Sequence, residues 1–155
     1  MEKSRVDRSA FGACRELVAL NDKPNGAAAA VSDANLLRGI RILVVEDNPV
    51  IALDVAFAIE DAGGIVVGPA ASVKEALVLI QKLPVAGAVL DVNLIDGDIS
   101  AVAERLVQDA VPCIIQTGVG LPANLATRFP NLVVQIKPCV SADTIRRLAG
   151  MISSR

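Results

Sequence analysis

From Ile40 onward the chain alternates short apolar runs with stretches of helical spacing, and that rhythm leaves few folds open. Arg41 to Val45 reads as a first strand. Asn48-Pro49 then opens a helix, with asparagine as N-cap and proline at the first helical position. Ile51, Val55, Ala58 and Ile59 follow at helical spacing, and Gly63-Gly64 is a stop signal. Ile65 to Val67 is a second strand; Ser72-Val73-Lys74-Glu75 has capping-box spacing and starts a second helix that ends before Pro84. Val85 to Leu90 is the third strand, and a polar loop from Asn93 to Asp98 leads into a helix over Ile99 to Asp109. Cys113 to Gln116 is a fourth strand, Pro122 to Arg128 a short helix, and Leu132 to Ile136 a fifth strand. Ser141 is read as the cap of a last helix reaching Ile152.

A (βα)5 series of this kind is economically folded as an α/β, doubly wound parallel sheet with strand order 2-1-3-4-5 and right-handed crossovers. The composition agrees: 53% of residues are hydrophobic but only 2% are aromatic, the aliphatic bias of strands covered on both faces. Residues 1–38 break the rhythm and are set apart, as a partly helical or flexible N-terminal extension, from a domain over 39–155. Within the extension, Phe11, Leu17, Val18 and Leu20 suit a short amphipathic helix, Asn21 to Gly26 is a cluster of breakers, and Ala27 to Val31 is Ala-rich.

Several function classes fall away. Mean hydropathy is +0.53, yet no run approaches the roughly 18 apolar residues of a spanning helix. The charged opening Met1 to Arg8 leads into no signal-type apolar core, so no membrane association and a cytoplasmic location are expected. A net charge of −2 argues against a nucleic-acid partner, which needs clustered Lys and Arg. The chain has no histidine, and Cys14, Cys113 and Cys139 form no CxxC pair, so neither a zinc site nor a disulfide framework is expected. Cys113, beside Ile114-Ile115, reads as a small core residue.

The chemistry gathers at strand ends. In open α/β sheets ligands bind outside the carboxyl ends of the strands. Glu46-Asp47 closes the first strand, Asp91 the third, Thr117-Gly118 the fourth and Lys137-Pro138 the fifth. Carboxylates on adjacent central strands suit a hard divalent cation such as Mg²⁺, which takes oxygen ligands and shares its shell with phosphate. Asp91 can then act as a nucleophile, as carboxylates do when they form aspartyl-phosphates. Lys137 would balance the added charge, and the Thr117 hydroxyl can donate to a phosphoryl oxygen. Asp96-Gly97-Asp98 lies further along the loop and reads as a turn and N-cap.

Those positions, each ending a successive strand over about Arg41 to Ile152, resemble the CheY-like receiver domain of two-component response regulators, a flavodoxin-like fold. The resemblance implies a protein that catalyses only its own phosphorylation and dephosphorylation. It implies that Asp91 accepts a phosphoryl group from a sensor histidine kinase or phosphotransfer protein. It implies Mg²⁺ held by Asp47, Asp91 and the Asn93 backbone carbonyl, with Glu46 acting through water. Thr117 and Lys137 would sense the phosphoryl group, and the Lys137-Pro138 bond would be cis. Val111 to Gly120, with Asp91-Val92-Asn93-Leu94, looks like the stand-alone alphaproteobacterial receivers with a Phe-Ala-Thr-Gly signature, here Ile115-Gln116-Thr117-Gly118. Val134 stands where many receivers carry an aromatic switch, Ile95 where many have proline, and Cys139 where phenylalanine often follows Lys-Pro. No DNA-binding module follows the last helix before Arg155. The expected output is therefore contact with an unidentified downstream protein through the fourth helix, fifth strand and last helix, or phosphoryl buffering. The resemblance leaves a homodimer through the last helices open. The alternative is a degenerate receiver acting as a phosphorylation-independent interaction module. A flavodoxin-type cofactor protein is rejected, because Glu46-Asp47 stands where a phosphate loop would be and the chain has no Trp or Tyr.

Overall fold

The structure, a computed structural model, describes residues 33–155. Cys14 and the expectations for the amphipathic helix, the breaker cluster and the Ala-rich stretch lie outside the described residues.

Alternation in the first strand, β1 (Arg41–Val45), divides the core in two. Ile42 and Val44 join Val89, Ile114, Val55, Ile59, Ile145 and Leu148 on one face of the sheet. Leu43 and Val45 join Leu90, Ile115, Ile80, Val102, Leu106 and Leu125 on the other. The first face is covered by α1 (Pro49–Asp61) and α5 (Ser141–Ser153), the second by α2 (Val73–Lys82), α3 (Ser100–Gln108) and the short α4 (Ala123–Arg128). The remaining strands are β2 (Ile65–Ala70), β3 (Gly87–Asp91), β4 (Asn93–Leu94), β5 (Gly97–Asp98), β6 (Cys113–Thr117) and β7 (Val133–Ile136). The five long strands lie parallel in the order β2-β1-β3-β6-β7, which is the expected 2-1-3-4-5. β4 and β5 form a separate antiparallel hairpin.

Local signals explain most boundaries. Asn48 Oδ1 accepts from the N–H groups of Val50 (3.0 Å) and Ile51 (3.4 Å), with Pro49 first in the helix. Gly63 ends α1 with φ +76, donating to Glu60 O; a Cβ there would meet Ala34 O at 2.9 Å, so glycine is required twice over.

Three expectations differ from the outcome. The second strand, expected over Ile65 to Val67, runs on to Ala70: the Gly68-Pro69 bond is cis, the register with β1 shifts between Leu43 and Val45, and Val45 pairs with Ala70. Ser141 does not cap α5; Val140 holds the N-cap position, and the Ser141 hydroxyl donates instead to Asp54 Oδ2 on α1. The polar loop from Asn93 to Asp98 is the β4–β5 hairpin. Residues 33–40 also pack on the domain: Leu37 is fully buried with the α1–α5 face, and its N–H donates to Ala62 O at 2.8 Å. No helix among the described residues is long and apolar enough to cross a membrane.

Candidate functional site

Parallel strands put their carboxyl ends on one edge, and register decides which side chains meet there. β1 pairs with β3 through Val45↔Leu90, so Glu46-Asp47 and Asp91 emerge side by side. One carboxylate oxygen from each of Glu46, Asp47 and Asp91 lies within 4.8 Å of the others. Asp91 sits opposite Gln116, and Thr117 opposite Ile136, which brings the Lys137 backbone N–H to Thr117 O at 2.8 Å. The Lys137-Pro138 bond is cis.

The Lys137 ammonium lies 2.6 Å from Glu46 Oε2 and 3.2 Å from Asp91 Oδ1. Burial pulls its pKa down, but the hydrogen bond and charge of Glu46, and then of Asp91, outweigh burial and hold it above the ordinary lysine value. Glu46 is 5% exposed and its other oxygen accepts from the Asn48 N–H at 3.1 Å, so both oxygens are engaged. Asp91 Oδ1 also accepts from the Val92 N–H at 2.9 Å. Asp91 Oδ2 has no such partner among the described residues, which leaves it the freer oxygen. Asp47 is exposed at the rim.

The donor set fits a hard cation: three carboxylates converge with one ammonium to neutralise them, and the set holds no thiolate or imidazole. Asn93 opens β4 two residues after Asp91 and pairs with Asp98 across the hairpin. Thr117 is fully buried, and its hydroxyl donates to Gly120 O at 2.8 Å and accepts from the Val119 N–H at 3.3 Å. Its proton is thus given to the loop after β6. A Cβ on Gly118 would meet nothing within 4 Å, so the loop there is open.

Beside Lys137, on the α1–α5 face, is a cleft of about 560 Å³ bounded by Val50, Ile51, Asp54, Cys139 and Ser141. Its floor holds a polar network that sequence reading missed. Gln116, 3% exposed, donates to Thr144 Oγ1 (3.2 Å) and Cys139 Sγ (3.1 Å), and Thr144 donates to Gln135 Oε1 at 2.7 Å. The available signal was a lone amide in an otherwise apolar strand, but its partners lie on α5 and in the segment between β7 and α5. Cys113 is 3% exposed and burial pushes its thiol up to about 11, as a core residue requires.

No family model and no curated protein matches the sequence. Solved structures do. A CheY-like response regulator receiver domain protein from Methanospirillum hungatei JF-1 is 22% identical, with TM-score 0.67 over 75% of this chain and 95% of its own. A response regulator receiver protein from Sinorhizobium medicae WSM419 is 22% identical, with TM-score 0.66 over 75% of this chain and 96% of its own. The response regulator PhyR from Brucella abortus is 30% identical, with TM-score 0.61 over 79% of this chain; the match spans 53% of PhyR, about half its length. The five-stranded parallel α/β fold of this chain is that of CheY-like response regulator receiver domains.

Proposed function

We propose that the chain is a response regulator receiver that accepts a phosphoryl group on Asp91. The observation that carries this reading is the convergence of Glu46, Asp47 and Asp91 within 4.8 Å, with Lys137 against two of them. Asp47, Asp91 and the Asn93 carbonyl would hold Mg²⁺, with Glu46 acting through water; the ion would supply positive charge for the incoming phosphoryl oxygens. Asp91 Oδ2 attacks phosphorus. Its new P–O bond forms as the P–N bond of a donor phosphohistidine breaks, and the imidazole nitrogen keeps the electron pair and takes a proton from water. Lys137 exchanges part of its contact with Glu46 and Asp91 for the phosphoryl oxygens. The Thr117 hydroxyl turns from Gly120 O to the same group, trading one hydrogen bond for another.

The donor is a sensor histidine kinase or phosphotransfer protein. Val50, Leu53 and Phe57 support this, because they leave α1 an exposed apolar stripe beside the site, at 75%, 52% and 55% exposure. The output is a protein–protein contact in the cytoplasm, and the protein turns over no substrate other than itself. The reading is tested by incubating full-length protein with acetyl phosphate and Mg²⁺ and weighing it intact. Wild type gains one phosphoryl group, which is absent after Asp91→Ala and absent in EDTA. The commitment of Thr117 to its own loop and the presence of Val134 favour a second reading, a phosphorylation-independent interaction module. An unmodified wild type would select it.

A further inference from the structure

The N-terminus of α2 is capped from elsewhere in the chain. Helix starts leave N–H groups without partners, and local side chains usually satisfy them. Here Ser72 Oγ takes only the Glu75 N–H, at 3.2 Å. The first two are taken by Asp96: Oδ1 accepts from the Val73 N–H at 2.8 Å and Oδ2 from the Lys74 N–H at 3.2 Å. Asp96 lies 23 residues away from Val73, in the two-residue turn between β4 and β5.

The two segments joined by this contact flank the acidic site. On one side is the hairpin, which begins at Asn93 and sets its Leu94 into the core at 9% exposure. On the other is the end of β2: Glu46 donates its N–H to Ala70 O, and Ala71 donates to Glu75 Oε2 at 2.9 Å in the first turn of α2. Pro69 and Ala71, with Glu46 and Asp47, line a hollow of about 240 Å³ at the rim of the cluster. The hairpin has other moorings. Asp98 Oδ1 accepts from the Ser100 N–H of α3 at 2.9 Å, and Ile95 at the turn is 76% exposed and holds nothing.

The geometry points to Asp96 as a positioning residue for the metal site, a carboxylate that ties the Asn93-bearing hairpin to the β2–α2 wall so that the Asn93 carbonyl is held beside Asp91. The inference rests on the receiver reading above and deepens it. Because Asp96 spends its oxygens on backbone N–H groups of α2 and stands outside the cluster of Glu46, Asp47 and Asp91, its removal weakens ion binding without disabling the acceptor.

The test is a titration of full-length protein with MgCl₂ alone by calorimetry, paired with acetyl phosphate labelling at saturating Mg²⁺. Asp96→Ala raises the Mg²⁺ half-saturation about tenfold, the scale of lost outer support at a metal site. Its maximal labelling rate stays near wild type, and Asp96→Asn, which keeps one acceptor for the Val73 N–H, restores part of the affinity. Ser72→Ala is the control: it weakens the same helix start from within α2 and leaves the half-saturation unchanged. Wild-type Mg²⁺ affinity in Asp96→Ala, or an equal loss in Ser72→Ala, overturns the assignment while leaving the receiver reading standing. A wild type that does not saturate with Mg²⁺ overturns both.

Discussion

Asp47 is the one carboxylate of the cluster without a cation beside it among the described residues, since Lys137 pairs with Glu46 and Asp91. Its repulsion from two neighbours is therefore relieved only by solvent or a bound ion. Asp47→Asn should raise apo stability by about 1 kcal/mol, the Coulomb scale for charges near 4 Å in water. The same substitution should abolish the gain in thermal midpoint on adding Mg²⁺; equal midpoints for both proteins with and without the ion would count against the assignment. Lys137 works in the opposite direction. Lys137→Met strands the buried Glu46 carboxylate and should cost about 3 kcal/mol in urea unfolding, the lower end for breaking a buried pair. Because the folded pKa of Lys137 is raised, its contribution is complete below the unfolded lysine value near pH 10.4 and is lost only as pH climbs through the higher folded value. Thermal melts should thus show wild type and Lys137→Met converging above about pH 10.4, with a constant gap through neutrality. Cys113, raised to about 11, should resist iodoacetamide at pH 8 in the native state and react on unfolding.

At the scale of elements, what was legible in the sequence is what neighbours along the chain decide. Asn48-Pro49, Gly63-Gly64 and the apolar runs act within a few residues, and they place β1, α1, β3, β6 and β7 to within one or two positions. Because strands in such a sheet end on one edge, Glu46, Asp47, Asp91 and Lys137 could be brought together from their positions alone. What stayed hidden was held by distant partners: Asp96 by α2 across 23 residues, Gln116 by Thr144 across 28, Ser141 by Asp54 across 87. A serine before a helix reads as its cap unless a carboxylate on another helix claims the hydroxyl. The Gln116 network also joins the strand that ends at Thr117 to α5 and β7. Thr144→Val leaves the Gln135 oxygen without its donor and the Gln116 amide with Cys139 Sγ alone, and should cost about 2 kcal/mol, within the usual range for orphaned buried groups. Gln116→Leu, which strands only acceptors, should cost less in the same urea titration. Equal costs would mean that the network does not act through Thr144.

For the molecule as a whole, the two faces of the sheet carry different tasks. The α1–α5 face holds Leu37, the apolar stripe of Val50, Leu53 and Phe57, and the cleft beside Lys137. The other face holds the loop after β6, where the Thr117 hydroxyl is parked on Gly120 O. Phosphorylation would act on both through one strand, since Gln116 faces α5 and Thr117 faces the α4 side. The most direct measurement is a crystal structure of the full chain with Mg²⁺ and beryllofluoride, a phosphoryl mimic. The account predicts the ion against Asp47, Asp91 and the Asn93 carbonyl, the mimic on Asp91 Oδ2, and Lys137 and Thr117 turned toward it. An ion and mimic that leave the acidic edge empty, or that bind away from Asp91, would contradict it.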